Sequence, residues 1–163
     1  MTALLDIVIM AAGKGTRMKS RTPKVLQKLA GRPLLAHVLD TAAQLQARSA
    51  VVITGHGAAE VEAAVASAAG AEAGPALKFV RQEPQLGTGH AVQQAMPVLP
   101  DDGMVVVLSG DVPLTQAATL QALVAAVAGG QLALLTVTAP DPSGYGRIVR
   151  NAAGTVQRIV EHK

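Results

Sequence analysis

The amino-acid sequence predicts an α/β fold in three layers, with a mostly parallel sheet covered by helices on both faces. Two observations carry this expectation. Short β-branched runs alternate with longer segments of helical period, and a strand–helix–strand order of this kind packs as a parallel sheet. Hydrophobic residues make up 50% of the 163-residue chain and charged residues 15%. That is the balance of a packed globular domain, large enough to need no disulfide or structural metal.

Taken in order, Ile7-Val8-Ile9-Met10 reads as a buried first strand. Gly31-Arg32-Pro33 opens a helix on which Leu34, Leu35, Val38, Leu39, Ala42 and Leu45 share a face. Val51-Val52-Ile53 is a second strand, followed by a helix from Ala58 to about Ala69 and a small-residue loop from Ala71 to Pro75. Leu77 to Val80 is a third strand, and Gly87-Thr88-Gly89 precedes a short helix ending near Pro97. Met104 to Leu108 is the most apolar strand; Thr115 is placed to cap a helix running to about Ala128. Leu132 to Val137 reads as a further strand, and Gly144 to Val149 with Val156 to Val160 as a hairpin around Asn151 to Gly154. No repeat, low-complexity linker or domain boundary interrupts residues 1–163.

Composition excludes several chemistries. Without cysteine there are no disulfides, thiolate zinc sites or cysteine nucleophiles, and the chain suits a reducing cytosol. One Tyr, one Phe and no Trp provide no stacking platform for single-stranded nucleic acid. The net charge of +3 comes from scattered residues, and the pI near 9.6 therefore marks no duplex-binding stripe. The one loose basic cluster, Lys14, Arg17, Lys19, Arg21 and Lys24, suits a small anionic ligand, with a solvated loop as the plainer alternative. The four histidines share no metal-binding spacing, and Glu60 and Glu62 read as solvated residues on a polar helix face. The first ten residues lack the basic start of a signal peptide, and Gly129-Gly130-Gln131 breaks the most membrane-like stretch.

In open parallel sheets, ligands sit outside the carboxyl ends of the strands. After the first strand comes Ala11-Ala12-Gly13-Lys14-Gly15-Thr16-Arg17. Small residues let backbone approach a ligand, successive N–H groups form an anion nest, and Arg17 adds a fork suited to phosphate. Pro23 stiffens the chain just before Lys24. The loop is neither a Walker A motif nor a dinucleotide fingerprint, whose third glycine is replaced here by Met18. After the fourth strand, Ser109-Gly110-Asp111 places a carboxylate where a magnesium site can start; a turn aspartate or helix cap is the alternative. After the third strand, Gln82 offers a donor and an acceptor to a base edge, with Gly87 and Thr88 beside it. A glycine loop capping a helix explains that segment equally well.

Taken together, these residues resemble the sugar nucleotidyltransferases, whose G-x-G-T-R signature is followed shortly by P-K. The closer resemblance is to the uridylyltransferase half of the bifunctional N-acetylglucosamine-1-phosphate uridylyltransferases / glucosamine-1-phosphate N-acetyltransferases. It rests on Ala11 to Met18, Thr22 to Leu26, Gln85 to Ala91, Gly110 to Leu114, Gly144 to Ile148 and Ile159 to Lys163. The resemblance implies a Rossmann-like nucleotide-diphospho-sugar transferase fold, truncated at its C-terminal end, without the β-helical acetyltransferase domain. It implies UTP and N-acetylglucosamine 1-phosphate as substrates, Mg2+ as cofactor, cell-envelope precursor synthesis in the cytoplasm, and oligomerisation of the longer enzyme through the absent domain.

By the same resemblance Met10, Ala11, Ala12 and Gly13 contact uridine through backbone. Gly15, Thr16 and Arg17 hold the triphosphate, with Arg17 and Lys24 as the catalytic charges. Gln82, Gly87 and Thr88 read uracil, Ser109 and Gly110 join the nucleotide site, Asp111 binds magnesium, and Gly146 and Glu161 contact the sugar. Two rivals stand beside this reading. A methylerythritol-phosphate cytidylyltransferase shares the opening loop but carries D-A-A-R where this chain has Gly110-Asp111-Val112-Pro113. A nucleotide-binding fragment without turnover is the other.

Overall fold

Along the chain run β1 (Leu5–Met10), the two-residue strands β2 (Lys28–Leu29) and β3 (Arg32–Pro33), α1 (Leu34–Ala43), β4 (Ser49–Thr54) and α2 (Ala58–Ala68). They are followed by β5 (Ala76–Arg81), α3 (Thr88–Ala95), β6 (Met104–Ser109), α4 (Ala117–Ala125), β7 (Arg147–Arg150) and β8 (Val156–Val160). This computed structural model describes residues 4–15, 18–68, 74–127 and 130–161. The chain forms two compact units, Met1–Ala133 and Leu134–Lys163.

In the first unit β1, β4, β5 and β6 make one parallel sheet in the order β5-β4-β1-β6. Side chains alternate across it, as the pleat requires. Ile7, Ile9, Ala50 and Val52 pack with Leu35 and Val38 of α1, Val61 and Val65 of α2, and Leu120 of α4. Val8, Val51 and Ile53 point the other way, against Ala91 and Ala95 of α3. Three layers and a parallel sheet are thus as the sequence predicts.

Several boundaries differ from the sequence reading. Gly31 and Arg32 do not open α1; with Ala30 (φ 50°) and Gly31 (φ 81°) they turn the short β2–β3 pair, and Leu45 lies beyond the helix end. Thr115 is not the cap of α4: Gln116 is, without a side-chain hydrogen bond, and the Thr115 carbonyl accepts from the Thr41 hydroxyl instead. That helix stops at Ala125; Ala69, Ala71 to Ala73 and Ala128 lie outside the described residues. The predicted strand over Leu132 to Val137 carries no strand pairing. Its apolar run has the right composition, but a strand exists only with a partner, and none of the described residues provides one. In the second unit β7 and β8 pair as the expected hairpin, with the first strand running over Arg147–Arg150 and not from Gly144 to Val149. Asn151 Oδ1 fixes its turn by accepting from the Ala153 and Thr155 amides at 3.0 and 2.9 Å.

Among the described residues Asp6 is the one charged group that is buried, and it is fully so. Arg48 Nε donates to its Oδ2 at 2.8 Å and Ser49 Oγ to its Oδ1 at 2.5 Å. Arg48 also bridges to Asp102 at 2.9 Å, so one guanidinium ties together the amino ends of β1, β4 and β6. Burial pushes the Asp6 carboxyl up, but the hydrogen bonds from Arg48 and Ser49 and the charges of Arg48 and Lys78 outweigh it. The group therefore ionises below the ordinary carboxylate range. Its contribution to stability is present above the unfolded value of about 4 and is lost as pH falls through the lower folded value. Urea unfolding from about pH 5 down to about pH 2 should show this loss, and Asp6→Asn should flatten that slope. An equal slope in the variant would remove Asp6 from the account.

Candidate functional site

The chain places β4 and β5 on one side of β1 and β6 on the other, so the strand order reverses at β1. Such a switch point leaves a crevice at the carboxyl ends of the strands. The loop leaving β1 is pinned there: the Ala11 amide donates to the Ile53 carbonyl at 2.8 Å, and Gln85 Nε2 donates to the Ala12 carbonyl at 3.0 Å. Gly15 has φ 58°, and a Cβ at that position would stand 2.8 Å from Lys24 Cβ. Only glycine lets the loop and Lys24 lie this close. Pro23 is buried and starts the single 3-10 turn that carries Lys24.

At the end of β6, the Gly110 amide donates to the Met10 carbonyl at 3.0 Å. A Cβ on Gly110 would meet that oxygen at 3.0 Å, Leu35 Cδ1 at 3.2 Å and Val25 Cγ1 at 3.3 Å. Gly110 thus fits flush against β1, and the next residue, Asp111, forms an ion pair with Lys24. At the end of β5, the Gln82 amide donates to the Thr54 carbonyl at 2.8 Å. The Gln82 side chain is buried, and its Nε2 donates to the Gly87 carbonyl at 2.9 Å. Behind it, Glu62 is not merely solvated: it accepts from the Thr54 hydroxyl at 2.9 Å and from Arg81 at 3.2 Å. That link joins α2 to the ends of β4 and β5.

These loops enclose a cavity of about 550 Å³. Met10, Ala12, Gly13, Gly15, Lys24, Gln82, Gly87, Thr88, Ser109 and Asp111 line it, as the sequence reading brought them together. Ala11 and Gly110 are buried beneath the lining rather than in it. Thr16 and Arg17 lie outside the described residues. Gly146 and Glu161 belong to the second unit, where a Cβ on Gly146 would stand 3.7 Å from both Glu161 carboxylate oxygens. Lys14, Met18, Val25, Gln85 and Ala91 line the cavity as well, and none of them was assigned to the site from the sequence. Gln85 stands inside a stretch already singled out, but only its bond to Ala12 gives it a place.

The described residues contain no group of three or more His, Cys, Asp and Glu side chains placed to hold a metal. The donor set at the cavity is instead a lone carboxylate, Asp111, beside Lys24. That fits magnesium, which takes one or two carboxylates and draws its other ligands from substrate phosphates and water. No helix among the described residues is long and apolar enough to cross a membrane.

Comparison with known proteins fits this geometry. Residues 7–157 match the family model of the MobA-like NTP transferase domain. The chain belongs to this family. Among curated relatives of this NTP transferase domain, the bifunctional protein GlmU of Acidovorax sp. (strain JS42) is 77% identical over 163 residues. It is matched by 100% of this chain, which covers 34% of the relative. The bifunctional protein GlmU of Polaromonas naphthalenivorans (strain CJ2) is 74% identical, with 98% of this chain and 34% of the relative covered. The chain thus spans about a third of the length of the curated relatives it matches. Among solved structures, HddC from Yersinia pseudotuberculosis, complexed with GMP-PN, superposes with a TM-score of 0.67 at 20% identity. That match covers 96% of this chain and 69% of the other, and it shows the shared fold.

The packing at the two glycines gives opposite expectations. Gly110→Ala should lower stability in urea unfolding by about 1–3 kcal/mol, because its methyl group would press on the Met10 carbonyl, Leu35 and Val25, which must shift to admit it. Gly13 has nothing within 4 Å of a Cβ, so Gly13→Ala should change stability by less than about 0.5 kcal/mol. Equal effects would contradict the placement of β6 against β1.

Proposed function

We propose that this domain transfers UMP from UTP to N-acetylglucosamine 1-phosphate, giving UDP-N-acetylglucosamine and pyrophosphate, as part of cytoplasmic cell-envelope precursor synthesis. One observation carries the proposal. A single cavity at the switch point gathers the glycine loop, the Lys24–Asp111 pair and the Gln82–Gly87–Thr88 wall. That arrangement supports a site in which phosphate chemistry and base recognition stand side by side. The high identity to bifunctional GlmU proteins supports the choice of substrates.

On this reading Met10, Ala12 and Gly13 lie along the nucleoside through backbone, with Ala11 as the buried support. Gly15, Thr16 and Arg17 hold the triphosphate, and Lys24 neutralises the α-phosphate. Gln82, Gly87 and Thr88 read uracil, Ser109 and Gly110 complete the nucleotide wall, and Gly146 and Glu161 take the sugar. Asp111 is the protein's ligand for magnesium, which when bound neutralises phosphate charge and polarises phosphoryl oxygens.

A phosphate oxygen of the sugar phosphate attacks the α-phosphorus of UTP in line. The new P–O bond forms as the bond to pyrophosphate breaks, and Arg17 stabilises the departing charge. The protein provides no covalent nucleophile; its work is orientation and fixed positive charge. Lys24 and Asp111 pair with one another, so either can exchange its partner for a phosphate oxygen or a cation.

Calorimetry with UTP and magnesium tests the site. Lys24→Ala and Asp111→Ala should each weaken binding roughly tenfold to a hundredfold, the worth of one charge-assisted contact. Release of pyrophosphate from UTP and N-acetylglucosamine 1-phosphate tests turnover. Binding without release would make the chain a nucleotide-binding fragment, and CTP bound as tightly as UTP would refute the assignment of uracil.

A further inference from the structure

Gln82 is held by two neighbours at the cavity wall, Gly87 and His90. Gln82 Nε2 lies 2.9 Å from the Gly87 carbonyl and 3.2 Å from His90 Nδ1. A carbonyl only accepts, so the atom facing it must be the amide nitrogen; turning the amide over would set two oxygens against each other. The same nitrogen faces His90, so Nδ1 must accept as well. A neutral imidazole with an accepting Nδ1 carries its proton on Nε2. His90 Nε2 stands 3.1 Å from Gln94 Nε2; with the proton on His90 Nε2, the Gln94 amide is turned over so that its oxygen accepts from that N–H. The turn exchanges the 3.4 Å bond from Gln94 to the His90 carbonyl for an oxygen–oxygen contact of that length, and the 3.1 Å bond from His90 Nε2–H offsets it.

Both protons of the Gln82 amide nitrogen are then used. Its Oε1 is the polar atom left over, with no hydrogen-bond donor among the described residues. Gln82 is 5% exposed as a residue and lines the cavity, and no buried side-chain polar atom among the described residues lacks a partner. With no donor to it among the described residues, Oε1 is not an orphan sealed in the core, and the cavity that Gln82 lines is the space available to it.

We infer that His90 is a positioning residue: beside the Gly87 carbonyl it is the second acceptor that holds the Gln82 amide nitrogen, and it strengthens the lock that turns the Gln82 oxygen toward the cavity and sets the sense in which the site reads a base edge. The inference rests on the nucleotide reading given above. A fixed acceptor matches the N3–H of uracil and opposes the N3 lone pair of cytosine. An amide free to turn over would satisfy either base. His90 thereby contributes to the choice between pyrimidines without touching the ligand.

Calorimetric titration of UTP and CTP, each with magnesium, tests this in the parent chain, His90→Leu and His90→Asn, with folding of each checked by circular dichroism. Leucine removes the acceptor and leaves Gly87 as the only anchor. The preference for UTP over CTP should then shrink by roughly threefold to tenfold, the worth of one hydrogen bond. Asparagine can place an oxygen near the position of Nδ1 and should restore the preference. A folded His90→Leu with an unchanged ratio would overturn the inference, as would His90→Asn behaving like leucine. Long-range 15N–1H NMR gives a readout independent of any ligand. The Nε2–H tautomer of His90 is expected, and an Nδ1–H tautomer would overturn the inference. If the parent chain shows no preference for UTP, the uracil reading fails, and the tautomer alone decides the role of His90.

Discussion

β1 has parallel neighbours on both edges and helices against both faces, and this confinement governs the rest of the first unit. A strand so enclosed cannot shift its register without moving every apolar side chain to the wrong face. Its carboxyl end is therefore a fixed point. The Ala11 amide bonds across to β4, the Met10 carbonyl accepts from Gly110 beyond β6, and the loop between them starts from a defined position. Small residues follow because nothing larger fits: Ala11 and Ala12 are buried, and Gly15 must pass against Lys24.

The two ends of the sheet treat charge differently. At the amino end Asp6 is removed from water and compensated by Arg48 and Ser49, a closed arrangement that holds strands together. Stripping a partner from such a group is costly because it leaves a buried charge unpaired. At the carboxyl end Lys24 and Asp111 remain partly exposed on the wall of the cavity. A pair open to solvent is weakly held and readily exchanges partners. One end uses charge for stability, and the other keeps it available for a ligand.

Much of this was legible in the residues. Runs rich in Val and Ile named three strands of the sheet and Leu77 to Val80 the fourth, and the residues just beyond the strands named most of the cavity lining. What escaped the sequence has physical causes. Leu132 to Val137 has a strand's composition but no pairing, because a ladder depends on a neighbour that composition does not reveal. Glu62 looked like a solvated residue because its partners, Thr54 and Arg81, meet it only after α2 packs back on the sheet. Gln85 and His90 act through bonds to Ala12 and Gln82, contacts that no spacing rule encodes. Asn151 was the opposite case: a local Asx turn is written within a few residues, and the hairpin fell where expected.

The central claim is that the nucleotide occupies the cavity at the carboxyl ends of β1, β5 and β6. Photo-crosslinking with a UTP analogue reactive at the base, followed by peptide mapping, tests it most directly. The label should fall on the stretch from Gln82 to Ala91 or on the loop after Met10, and excess UTP should abolish it. A label confined to Leu134–Lys163, or one that excess UTP leaves unchanged, would contradict the account.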